Sequence, residues 1–125
     1  MTGRDGRAKA KGKGDERRGA RRFAVRDFKI DLRSEESFLF AYVENISELG
    51  IFVAMEKPLP VGTKLTLRFP ARGDVGPLTL GGVVRWINPP TGRHPGMGIA
   101  FDPLTPAQRE KVVALVRAVA YLTHD

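Results

Sequence analysis

From Phe28 to Phe101 the apolar residues fall on every second position in a succession of short runs, and after Thr105 they fall three and four apart. The first period belongs to half-buried strands and the second to an amphipathic helix, so a mainly β body followed by one helix is expected.

The first run is Asp27–Arg33, in which Phe28, Ile30 and Leu32 alternate with charged residues. Ser34–Ser37 is polar and reads as a turn, which pairs this run with Phe38–Glu44 as a hairpin. Further strands are expected at Ile51–Met55, Thr63–Phe69, Leu78–Asn88 and Met97–Phe101, separated by Pro- and Gly-rich connectors. Gly81-Gly82 predicts a bulge or bend inside the long fifth strand, and Trp86 on that strand is expected in the core at the border of any site. Six short strands of this kind predict a six-stranded antiparallel β-barrel, closed or nearly so.

Thr105-Pro106-Ala107-Gln108 then supplies an N-cap, a proline at the first helical position and a capping-box glutamine. The helix is expected over about 106–122. Val112, Leu115, Val116, Val119 and Leu122 make its apolar stripe, directed at the barrel.

The net charge of +7 is unevenly placed. Residues 1–22 hold nine Lys and Arg against three acids, whereas the remaining residues hold twelve against eleven. The basicity therefore belongs to a tail. Residues 1–20 lack aromatic residues and any apolar periodicity, so they cannot offset their ordering entropy and a disordered basic leader is expected. The domain is expected over 21–125.

Several function classes lose support at this level. No stretch approaches the roughly 20 apolar residues of a membrane span, and the charged start of the chain does not read as a secretory signal. Cysteine is absent, which removes disulfides and thiolate metal sites and fits a cytoplasmic protein. His94 and His124 stand alone, without carboxylates at ligand spacing, so no metal or other cofactor is expected. No phosphate-cradling glycine motif or nucleophile context is present, and no enzyme is expected.

Two polar clusters remain. Arg22 and Arg26, four apart, offer guanidinium forks that match phosphate oxygens and the O6/N7 edge of guanine. Asn45-Ile46-Ser47-Glu48-Leu49-Gly50 offers an amide, a hydroxyl and a glycine just ahead of an apolar strand. The same three residue types also make ordinary turns.

Arg22-Phe23-Ala24-Val25-Arg26 fits RxxxR, and Asn45-Ile46-Ser47-Glu48-Leu49-Gly50 fits (D/N)xSxxG. With six strands and a terminal helix, roughly residues 21–122 resemble the PilZ domain family of bacterial cyclic di-GMP receptors. The resemblance implies that Arg22 and Arg26 grip phosphates and guanine edges, that Asn45 and Ser47 read guanine donors and acceptors, and that Gly50 keeps the turn open to the ligand. Arg21 is placed to support a second, stacked ligand molecule. Asn45 stands where aspartate is commoner, and Leu49 where many members carry glycine.

The implied role is a switch: cyclic di-GMP orders the arginine segment and changes the surface shown to a protein partner, in control of motility, pili or another output. Two other classes stand beside it. One is a ligand-independent interaction module of PilZ type. The other is a nucleic-acid-binding barrel with a basic arm, against which stand the near-neutral body and the absence of an evident exposed stripe of aromatic and basic residues.

Overall fold

The computed structural model describes residues 21–120. The leader expected over 1–20 and Leu122, the last residue of the expected helical stripe, lie outside the described residues. Among the described residues seven strands and one helix follow in order: β1 Phe23–Ala24, β2 Lys29–Arg33, β3 Phe38–Ile46, β4 Gly50–Ala54, β5 Lys64–Phe69, β6 Leu78–Asn88, β7 Gly96–Phe101 and α1 Pro106–Val119. Strands β2 to β7 are the six expected from the alternation. Strand β1 is additional, and its two residues are too few to show a period.

The six strands are antiparallel in the order β3-β2-β5-β6-β7-β4, and a β3–β4 pairing closes the ring. Closure leaves no long edge open to another chain. Strand β1 lies outside the ring on β3, with Phe23 opposite Ile46 and Ala24 opposite Asn45.

The inward positions are those that the period-two reading selects. Phe28, Ile30, Leu32, Val43, Leu67, Phe69, Leu80, Val84 and Ile99 are buried in one core. The helix adds Val112, Leu115, Val116 and Val119 to the same core. Truncating a fully buried leucine such as Leu115 costs about 2–5 kcal/mol in comparable cores, so the helix is integral to the domain.

Helix α1 starts as its sequence indicates. Gln108 N–H donates to Thr105 Oγ1 at 3.1 Å and Thr105 N–H donates to Gln108 Oε1 at 2.9 Å, a complete capping box. Its end comes earlier than expected. Ala120 is already extended and bridges to Val25, so the helix stops at Val119.

The glycine pair does not make the bulge assigned to it. Gly81 and Gly82 stay in register opposite Thr66 and Leu65, and a Cβ on Gly82 would lie 2.9 Å from the Ala100 carbonyl oxygen. Close approach of β7 requires glycine at position 82. The register shifts instead between Val84 and Trp86 in β6, and again between Val43 and Asn45 in β3. Arg85 and Glu44 are the extra residues. Each bulge reverses which face the following side chains take.

Candidate functional site

The two bulges put unrelated parts of the chain into one row on the outside of the barrel. Ala24, Asn45, Phe52, Gly98 and Trp86 are successive cross-strand partners through β1, β3, β4, β7 and β6. Residues directly opposite in an antiparallel ladder share a face. Ile51, Val53, Met97 and Ile99 occupy the inward positions around this row, so the row itself faces outward.

Gly98 is the low point of the row. A Cβ at that position would meet Trp86 Cη2 at 2.2 Å, so the indole lies directly against the glycine backbone. Phe52 stacks beside it, with ring centroids 6.3 Å apart and planes 21° from parallel. Phe52 is only 6% exposed and buttresses the indole from behind, so the partly exposed Trp86 ring forms a shallow aromatic shelf. Trp86 is therefore outside the barrel, against the core position expected for it, because the Arg85 bulge turns it outward after Val84.

The arginine segment reaches this shelf. Arg22 Nη1 donates to Asn45 Oδ1 at 2.7 Å, and its guanidinium carbon lies 5.7 Å from the Trp86 ring centroid. That distance falls within the range of a cation–π contact. Arg21 instead lies over Phe23, 5.3 Å from the ring centroid. Arg26 is exposed beyond the other end of β1, after Val25, whose N–H donates to the Glu44 carbonyl at 3.0 Å. Its neighbour Asp27 takes φ 59°, a left-handed corner that swings the chain into β2.

Ser47 and Gly50 serve the turn between β3 and β4. The Ser47 hydroxyl accepts from the Leu49 and Gly50 amides at 3.0 and 3.3 Å, and the Ser47 amide donates to the Gly50 carbonyl at 2.9 Å. Ser47 is only 2% exposed. A Cβ on Gly50 would lie 2.2 Å from the Ile99 carbonyl oxygen, so the glycine lets β4 approach β7. Glu48, in the same turn, pairs with Arg109 of α1 at 3.6 Å, though both side chains are about half exposed. Such pairs contribute roughly 1 kcal/mol or less.

The structure thus brings Arg22 and Asn45 together, sets Arg26 at the other end of the same short segment, and gives Ser47 and Gly50 shaping positions beneath Asn45. Sequence reasoning missed Phe52, Gly98 and the outward turn of Trp86. A signal was present in β3: Val43 and Ile46, both buried, are three apart where alternation would set inward residues two apart. No cluster of three potential metal-ligating residues occurs among the described residues.

Comparison with known proteins agrees with the fold. The family model of the PilZ domain matches residues 16–118. Among solved structures, the PilZ domain of YcgR from Escherichia coli with c-di-GMP is 14% identical with a TM-score of 0.69, over 82% of this chain and 91% of that one. The PilZ domain of CeSA from a cellulose-synthesizing bacterium is 19% identical with a TM-score of 0.58, over 78% and 95%. The Bacillus subtilis inhibitor of motility MotI/DgrA is 22% identical with a TM-score of 0.60, over 77% of this chain and 47% of that one. No curated protein matches the sequence. At these identities the structural likeness is one of fold.

Proposed function

The chain belongs to the PilZ domain family, and we propose that it is a cytoplasmic receptor for cyclic di-GMP rather than an enzyme. The observation that carries this reading is the meeting of Arg22, Asn45 and Trp86 on the outer face of the barrel. A guanidinium, an amide and an aromatic plane are the three groups that a guanine nucleotide with phosphodiester charges can use at once. The relative YcgR, solved with c-di-GMP, shares the fold and supports the choice of ligand.

In this reading Arg22 and Arg26 take the phosphates and guanine edges, Asn45 reads a guanine amide edge, and Trp86, backed by the buried Phe52, provides a stacking surface. Ser47 and Gly50 act by holding the turn on which Asn45 stands. Arg21, now against Phe23, supplies a further cation for a second stacked nucleotide. The leader over 1–20 and the domain over 21–125 form one switch: ligand binding orders the arginine segment and alters the surface offered to a protein partner in motility, pilus or other control. Charge-assisted hydrogen bonds formed only with ligand would drive that ordering.

Titration calorimetry with cyclic di-GMP tests the receptor reading. Heat is expected with the wild type and none with the Arg22→Ala/Arg26→Ala double variant. Amide exchange over residues 15–30 tests the switch, and unchanged protection at saturating ligand would refute it.

A second reading has one observation in its favour. Arg22 spends its guanidinium on Asn45 and Trp86 of the domain itself, which suits a ligand-independent interaction module. Absence of heat with the wild type selects that reading.

A further inference from the structure

Strand β3 presents three large rings to the outside of the barrel. Phe38, Phe40 and Tyr42 are 50%, 56% and 54% exposed, and alternation places them on one face. An exposed row of aromatics is unusual enough on a closed domain to call for a partner. The outward positions of the neighbouring strands are basic. Lys29 and Arg33 lie opposite Tyr42 and Phe38, and Arg68 lies opposite Asp31, the partner of Phe40. Lys64 adds a fourth cation on β5.

The cations are in contact with the rings. The Arg33 guanidinium carbon is 4.7 Å from the Phe38 centroid, and Lys29 Nζ is 5.2 Å from that of Phe40. Asp31 is the single acid among these outward positions on β2 and β5. Glu35 and Glu36 in the β2–β3 turn bound the stripe at one end, and Glu44 bounds it at the other. The stripe is hidden in the sequence, because Phe38, Phe40 and Tyr42 share a run with Leu39, Ala41 and Val43 that reads as wholly apolar.

Charge weighs against two occupants: a second copy would set Lys29, Arg33, Lys64 and Arg68 against their like, and the basic leader would meet the same cations, since apart from Asp31 the acids are confined to the ends of the stripe. An anionic partner with flat groups remains. Residues two apart along a strand are spaced by about 6.8 Å at the backbone, a repeat that an extended polynucleotide can follow. Phe38 and Phe40 meet edge to face, 5.2 Å apart with planes 74° from parallel. Bases on separate rotatable sugars adapt to differently turned rings, whereas one rigid flat ligand does not.

We propose that the outer face of β2, β3 and β5 is a binding site for single-stranded nucleic acid. Bases stack on Phe38, Phe40 and Tyr42, while Lys29, Arg33 and Arg68 contact the phosphates. Stacking on aromatic residues beside a basic track is how single strands are held without sequence readout. The site does not depend on cyclic di-GMP binding.

Fluorescence anisotropy of the full chain with labelled oligo(dT) and oligo(rU) of about 12 nucleotides, within the range of one small barrel, tests the proposal. The two strands separate a DNA from an RNA ligand, and binding of either supports the site. Expected results are tighter binding of the single strand than of a duplex of equal length, and at least about a fivefold loss in Phe40→Ala/Tyr42→Ala. The salt dependence of that variant stays near the wild-type slope, while Lys29→Ala/Arg68→Ala lowers the slope by about 1.4. All four side chains are on the surface, and circular dichroism verifies folding. Equal affinity for the duplex, a ring variant that binds like the wild type, or full competition by polyglutamate would overturn the proposal.

Discussion

Trp86 covers Gly98: the indole lies where a β-carbon on Gly98 would be, with Cη2 only 2.2 Å from that position. The glycine is thus a seat for the aromatic shelf on which Arg22 rests. Two residues remote in sequence become one surface because the Arg85 bulge sets them opposite each other.

Gly98→Ala should therefore act on the site before it acts on the core. The added methyl displaces the indole from the shelf, and overpacking of this kind costs about 1–3 kcal/mol. A red shift in tryptophan emission, read directly since Trp86 is the only tryptophan, and a lower melting temperature are the expected signs. Cyclic di-GMP affinity should fall with them. Unchanged emission would mean that the ring is not seated as described.

Arg22 and Asn45 should differ in what their loss does. Their hydrogen bond is exposed, so Arg22→Ala and Asn45→Ala are each expected to alter stability by about 1 kcal/mol or less. Ligand affinity should drop at least about tenfold in each, since hydrogen bonds to charged groups are worth about 1.5–3 kcal/mol. A double-mutant cycle by calorimetry measures the coupling, and additivity of the two losses would show that they act on the ligand separately.

Asp27 makes the corner between the arginine segment and β2 at φ 59°. A β-branched residue there should cost about 1–2 kcal/mol, because its side chain crowds the carbonyl in the left-handed region. Denaturant unfolding is expected to show Asp27→Val destabilised and Asp27→Gly at least as stable as the wild type. The reverse order would place the corner in an ordinary backbone region.

Much of this architecture is legible from period alone. Leu65, Leu67 and Phe69 in β5 alternate without interruption, and they are all buried as read. Thr105 and Gln108 announce the helix start because capping is local chemistry. The misplacements have a common cause, which is that a bulge is decided between strands. Trp86 reads as inward from Val84 until the extra Arg85 is counted, and that count depends on which residue of β7 stands opposite. Strand β1 is similarly invisible, since its two residues are held by β3 and by the Val25–Ala120 bridge rather than by a pattern of their own. Arg22 and Asn45 were legible as residue types, but their contact depends on that added strand.

Ser47 offers the sharpest separation of shaping from contact. Its hydroxyl serves the Leu49 and Gly50 amides from a position that is 2% exposed, so its first duty is to the turn. Leaving buried donors without a partner costs about 1–3 kcal/mol, and Ser47→Ala should lose stability on that scale. If the hydroxyl acts only through the turn, affinity for cyclic di-GMP, measured well below the melting temperature, falls by less in Ser47→Ala than in Asn45→Ala. A larger fall in Ser47→Ala, with the turn intact by amide exchange at Leu49 and Gly50, would assign Ser47 a direct contact with the nucleotide. The hydroxyl would then have to leave those amides on binding, and their exchange should quicken when ligand is added.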